Sequence, residues 1–179
     1  MGAIHEPSRV LLVIAVSSRY DEALAWAQGR CIEQVRVTVF ASLAFDFTET
    51  DYYAAEMGTD LKKQFLAFKQ WIDPGDVADI KRTTNNWEAE YAALGMHPDS
   101  RPLNLDPGYI TPAKLVLAST KDHAHRVYLK HGIYAEVTLQ YRDKTWQALP
   151  WTYPDYRRAD YQAFFSECRE QLRRRPGSS

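Results

Sequence analysis

Seven consecutive apolar residues, Val10 to Val16, constrain the fold of this chain more than any other stretch. A strand with one wet face alternates apolar and polar positions. A run with no polar position predicts a strand covered on both faces. Ser18-Arg19-Tyr20-Asp21 then predicts a helix start, with Ser18 as cap and Asp21 favourable to the helix dipole, running to about Arg30. Val35, Val37 and Val39 alternate with polar residues and predict a second strand, so the opening reads β-α-β.

Further along, Leu61, Phe65, Phe68 and Ile72 recur at helical spacing and predict a helix ended by Asp73-Pro74-Gly75. Val77, Ile80, Trp87, Tyr91 and Leu94 continue a helical stripe closed by Gly95. Thr83-Thr84-Asn85-Asn86 weakens its middle. Thr111-Pro112 predicts the start of a short apolar helix to Ser119. Val127 to Leu129 reads as a short strand. Ile133, Ala135, Val137, Leu139 and Tyr141 give the clearest alternation in the chain, and Arg142-Asp143-Lys144 turns it into a hairpin with Thr145 to Leu149. An aromatic, proline-stiffened loop follows, then a closing helix with Tyr161, Phe164, Phe165, Cys168 and Leu172 on its apolar side. The expected fold class is α+β, a single domain over 9–172 with a mostly antiparallel sheet and packed helices. The β-α-β opening and the α-β-β close each fit part of a ferredoxin-like unit. Residues 1–8 are expected to be a flexible N-terminus and 173–179 a flexible basic tail.

At 179 residues and 45% hydrophobic content, one domain with a substantial core is expected. A formal net charge of -1 argues against a general nucleic-acid or acidic-membrane binder. No apolar run approaches the ~20 residues that span a bilayer, and Met1 to Arg9 has no secretory pattern. Two cysteines, Cys31 and Cys168, fit a reduced, cytoplasmic protein and read as core residues, with one bridge between them left open. Phosphate-loop, dinucleotide-glycine, H-E-x-x-H, C-x-x-C and G-x-S-x-G motifs are absent.

Chemistry concentrates in the second half. Asp106-Pro107-Gly108 predicts a sharp turn, with Asp106 either capping it or presented as a metal ligand or general acid/base. Lys114, in the first turn of the expected helix, either snorkels outward or helps the helix N-terminus hold an anion. His123 and His125 share a face if the chain is extended, which is a weak metal signal. His125-Arg126 otherwise reads as proton-transfer group and anion clamp, with Lys121 adding positive potential. Glu136 lies mid-strand, and if that face is covered its carboxylate must be paired or functional. Tyr109 and Trp151 are candidate ligand contacts, Trp151 by stacking. The segment from Phe45 to Gly58 holds four carboxylates and no basic residue, and reads as an exposed loop or as the acidic wall of a cleft. Asp46, Asp51 and Glu56 are its candidate ligands for Mg²⁺ or another divalent metal.

Several motifs resemble a bacterial family of uncharacterised proteins, the domain-of-unknown-function family 4416. They are Phe45-Asp46-Phe47-Thr48 with Tyr52-Tyr53 and Glu56-Met57-Gly58, then Asn104 to Tyr109, Lys114 to Ala118, His125 to Leu129, Gly132 to Leu139 and Pro150 to Tyr156. The resemblance spans about Val10 to Phe165 and implies no activity. It favours His125-Arg126 without demanding His123, which moves weight from the H-x-H pair to Asp106, Lys114, His125, Arg126 and Glu136. Three functions compete on these residues. The first is an enzyme or binding domain for an anionic small molecule such as a nucleotide or phosphosugar. The second is a non-catalytic interaction module anchored on Trp151 to Tyr156. The third is a divalent-metal hydrolase.

Overall fold

The structure, a computed structural model, describes residues 2–35 and 39–174. The apolar run becomes β1 (Val10–Ser18), and all nine of its residues are buried. Helix α1 (Asp21–Val35) follows, with Asp21 and Glu22 in its first turn. Ser18 Oγ accepts the Tyr20 N–H at 3.0 Å and donates to the Pro102 carbonyl at 2.7 Å, tying the strand end to the helix start. Next come β2 (Val39–Ala41), β3 (Phe45–Asp46), the short helix α2 (Ala54–Met57), β4 (Lys62–Ile72) and α3 (Val77–Ala93). The chain closes with β5 (Asn104–Ile110), β6 (Lys114–Ser119), β7 (Val127–Lys130), β8 (Ile133–Arg142), β9 (Thr145–Ala148) and α4 (Ala159–Arg173). The expected strand from Val35 starts only at Val39, because α1 runs through Val35. Val37 lies outside the described residues, as does the tail beyond Arg174.

One antiparallel sheet runs β2-β4-β1-β5-β6-β8-β7, with β3 added on β4 and β9 on β8. The strands β1 and β2 share a direction because β4 lies antiparallel between them, and β4 and β5 share one because β1 lies between them. The series β1-α1-β2-β4-α3-β5 therefore interlocks two split β-α-β units, the ferredoxin-like arrangement expected of the opening. The close differs. No helix separates β6 from β9, so these strands extend the sheet as antiparallel neighbours and build no second unit.

Alternate residues of β1 enter two cores. Leu11, Val13 and Ala15 join Phe65, Tyr161, Phe164 and Phe165 beneath α4. Leu12, Ile14 and Val16 join Leu24, Trp87 and Tyr91 beneath α1 and α3. Cys31 and Cys168 lie in these opposite cores as free thiols, so the bridge left open by the sequence is not formed. Burial pushes the Cys31 thiol up to about 12.

Three expectations are corrected. Residues 62–72 form a strand, not the helix that the Leu61-Phe65-Phe68-Ile72 spacing predicts. Phe65 and Ala67 face one core while Leu66 and Phe68 face the other, so burial is continuous and a helical spacing arises by coincidence. Residues 114–119 are likewise a strand, for the same reason. Thr111 does cap, but it closes a hairpin loop: its Oγ1 accepts the Ala113 and Lys114 N–H groups at 3.1 and 3.0 Å. With no helix there, Lys114 has no helix N-terminus to serve. Asp106-Pro107-Gly108, finally, is not a turn but lies inside β5.

The proline and glycine shape the sheet instead. Pairing of β5 with β6 covers only Gly108 to Ile110. A Cβ on Gly108 would sit 2.2 Å from the Val116 carbonyl oxygen, so glycine is what lets β6 approach. Pro107 has no N–H to extend the ladder. Beyond it, Leu105 turns its backbone groups to side chains of α3: its N–H donates to Glu88 Oε1 at 2.7 Å and its carbonyl accepts Lys81 Nζ at 2.7 Å. The sheet is split between β5 and β6, and α3 supplies the hydrogen bonds that the missing ladder would have made.

Candidate functional site

One polar wall stands on β8. Glu136 pairs with Leu117 of β6 and is 3% exposed. Its Oε2 accepts Arg126 Nε at 2.8 Å and His125 Nε2 at 3.1 Å, and its Oε1 accepts the Thr138 hydroxyl at 3.2 Å. Arg126 spends its remaining nitrogens on Ser119 Oγ, the Lys121 carbonyl and the Tyr153 hydroxyl. The face is covered, and the carboxylate is paired as its burial requires. A carboxylate can only accept, so the geometry assigns the proton of neutral His125 to Nε2 and leaves the lone pair on Nδ1. The ring is held between Trp151 and His123, with centroids 5.3 and 5.8 Å away and planes within 11° and 7°. Trp151 is itself fixed by its Nε1 donating to the Val137 carbonyl at 2.9 Å.

A second wall lies along the split in the sheet. Asp106 Oδ1 accepts Lys81 Nζ at 2.9 Å and its Oδ2 accepts the Asn104 amide at 2.8 Å. Arg101 donates to Asn104 Oδ1 and, at 3.1 Å, to Glu88 Oε2. Enclosure works to raise the Asp106 pKa, but Lys81, Asn104 and Lys63 outweigh it and hold the carboxyl at about 2. Burial raises Glu88 instead, against the pull of Lys81 and Arg101. Lys81 is nearly inaccessible while the Asp106 side chain stays 33% exposed, so this wall turns the carboxylate of a neutral pair outward.

Tyr153 and Tyr53 both have raised hydroxyl pKa values beside these walls. Burial pushes the Tyr153 hydroxyl up to about 12; Glu136 and Asp106 both add to the rise, and Arg126 opposes it. Tyr153 thus feels carboxylates of both walls. Tyr53 is raised by burial and by Asp106, Tyr153 and Asp155. Deeper in, Lys63 Nζ meets Asp155 Oδ2 at 2.5 Å in a buried pair and lies 3.7 Å from the centre of the Phe47 ring.

The structure therefore gathers His125, Arg126, Glu136, Trp151 and Lys121 on one wall and places Asp106 on the other, with both carboxylates raising the Tyr153 hydroxyl. Lys114 is exposed at the far end of β6, opposite Gln140. Tyr109 packs on Val77 and Ala78 beneath α3, on the other side of the sheet. Asp46, Asp51 and Glu56 are exposed. The Asp46 carbonyl accepts Arg158 at 2.6 Å, and Glu56 reaches the second wall through Arg101 at 3.8 Å. Among the described residues no group of three His, Cys, Asp or Glu is placed to hold a metal ion. The chain at His123 to Arg126 is a turn, closed by the Arg126 N–H on the His123 carbonyl at 2.9 Å, and not the extended segment that would place both histidines on one face; their rings stack instead.

Sequence reasoning missed Lys63, Lys81, Glu88, Arg101 and Asp155. Lys63 and Asp155 pair across 92 residues and Lys81 reaches Asp106 across 25, while Arg101 lies in the loop just before Asn104. The one available signal was a lysine or glutamate inside an otherwise apolar helix or strand face. Two surface grooves of about 530 and 550 Å³, lined by Phe40, Lys69 and Arg174 among others, lie toward the opposite end of β1 and share no residue with either wall.

Among the described residues no helix is long and apolar enough to cross a membrane. No curated protein and no solved structure matches the chain. A family model described as a domain of unknown function, DUF4416, matches residues 8–172, nearly the whole chain, and the protein belongs to that family.

Proposed function

We propose that the two polar walls together bind a small anionic molecule of the nucleotide or sugar-phosphate class, and that His125 moves a proton on it. The observation that carries this reading is the contact of His125 Nε2 with the buried Glu136 carboxylate, 3.1 Å, on a ring already clamped by stacking. A carboxylate that orients an imidazole and leaves its second nitrogen open is the usual support of a general base. Lys121 supports the anionic partner. Its ammonium is exposed and sits 2.8 Å from the Tyr52 hydroxyl, with no carboxylate in reach among the described residues. Arg126, Lys63 and Lys81 are all spent on carboxylates.

Calorimetric titration with AMP, glucose 6-phosphate and inorganic phosphate tests the reading. Saturable binding is expected for at least one of them, weakened about tenfold by Lys121→Ala, with ring signals of His125 shifting on addition. Absence of binding by all three overturns it. A second reading, an interaction module, has its own support in Val127 and Tyr128, 70% and 58% exposed on the edge strand β7. Concentration-dependent sedimentation that Tyr128→Ser abolishes favours that reading.

A further inference from the structure

On the α4 side of the sheet, three strands place polar side chains in one row. Ser17 of β1 is opposite Lys63 of β4 and opposite Asn104 of β5, and Asp106 follows one step along. In antiparallel strands such partners point to the same face. Ser17 is 2% exposed, and its hydroxyl has no hydrogen-bond partner. A buried hydroxyl left unpaired costs stability, and native structures keep few of them. The segment 45–58 covers this row: Phe47 lies on Lys63, and Tyr53 feels Asp106. That segment rests on a small core of Phe47, Met57 and Leu61, separate from both main cores, and ends at Gly58 with φ +76°. Phe45 fastens the start of the segment to the α4 core and Arg158 holds the Asp46 carbonyl and Glu49, so opening falls to the part from Thr50 to Gly58.

We infer that the row Ser17, Lys63, Asn104 and Asp106 is a hydroxyl-binding subsite for the polyol portion of the ligand, closed over by the segment 45–58. This rests on the reading that the two walls take a phosphorylated small molecule. The balance of charge sets the chemistry. Lys63 is matched by Asp155 and Lys81 by Asp106, so the floor carries no surplus charge to recruit an anion. It offers instead the unpaired Ser17 hydroxyl and the Asp106 carboxylate, whose oxygens keep lone pairs beyond those that Lys81 and Asn104 take, a donor and an acceptor for sugar hydroxyls. Asp106 remains an acceptor throughout the neutral range because its carboxyl is held at about 2. The phosphate group falls to Lys121 at the rim, and the sugar to the floor.

Calorimetry with ribose 5-phosphate, 2-deoxyribose 5-phosphate, glucose 6-phosphate, inorganic phosphate and neutral ribose and glucose tests this. A floor built to pair hydroxyls discriminates strongly against an analogue that lacks one. At least one sugar phosphate is expected to bind at least tenfold tighter than inorganic phosphate. Asp106→Asn should weaken that sugar phosphate by about 10- to 100-fold and Ser17→Ala by about 3- to 10-fold, with inorganic phosphate unchanged by either. Ser17→Ala removes an unpaired hydroxyl and should keep the fold, so it serves if Asp106→Asn does not. Equal binding of sugar phosphates and inorganic phosphate, indifferent to both variants, overturns the subsite and leaves the anion reading standing. Binding of a neutral sugar that depends on Asp106, without binding of phosphate, overturns the anion reading and upholds the subsite. No binding by any probe overturns both.

Discussion

The two polar walls are built in opposite senses. On β8 the carboxylate is buried and the imidazole looks outward, with Glu136 at 1% side-chain exposure and His125 at 25%. Along the split in the sheet the cation is buried and the carboxylate looks outward, with Lys81 at 5% and Asp106 at 33%. A buried ion holds its exposed partner in one place and cannot itself leave. The first wall therefore presents an imidazole held by a carboxylate. The second presents a carboxylate that stays ionised throughout the neutral range.

The largest expected effect lies in the second wall, because Lys81 does two things. It neutralises Asp106 and it completes the Leu105 carbonyl that the β6 ladder abandons. Lys81→Met should destabilise the protein by ~3–5 kcal/mol in urea unfolding. A loss below ~1 kcal/mol would mean the split in the sheet is held by something else. On the first wall, Glu136→Gln keeps the shape and strands the Arg126 guanidinium, for a loss of ~2–4 kcal/mol.

A smaller effect separates the walls by pH. The folded Asp106 carboxyl lies at about 2 against an ordinary 3.8. A depressed carboxyl stabilises above its unfolded pKa, and that stabilisation is lost as pH falls from about 4 toward 2. The difference corresponds to ~2 kcal/mol, discounted to ~1–2 because the side chain is partly solvated. Asp106→Asn should flatten the acid limb of stability against pH by that amount, while His125→Gln should leave it unchanged. The smallest expected effect is on stability in His125→Gln itself, under ~1 kcal/mol at pH 7, since the ring is partly exposed and Glu136 keeps Arg126.

What the sequence revealed follows the same division. Helical stripes exposed α3 and α4, because each has one dry and one wetter face; alternation exposed β8 and its hairpin although Glu136 and Thr138 are buried and Ala135 and Val137 only half-buried. The strands β4 and β6 escaped because both faces are dry, and a doubly buried strand carries no period to read. His125, Arg126, Glu136 and Asp106 stood out because they crowd together along the chain. Lys63 and Lys81 did not, since their partners, Asp155 and Asp106, lie 92 and 25 residues away. A lysine paired across such a distance looks in sequence like any solvated lysine. The split beside Pro107 was visible only as a break, and the structure turned the break into an opening between strands that continue.

The most direct test of the claim that Glu136 sets His125 as a base is the tautomer of the neutral ring, read from long-range ¹⁵N–¹H correlations above the titration range. The arrangement predicts a proton fixed on Nε2 and a bare Nδ1 in His125, with the exposed, unpaired His5 serving as the freely exchanging reference. A His125 ring protonated on Nδ1, or one that mixes tautomers as His5 does, would contradict it.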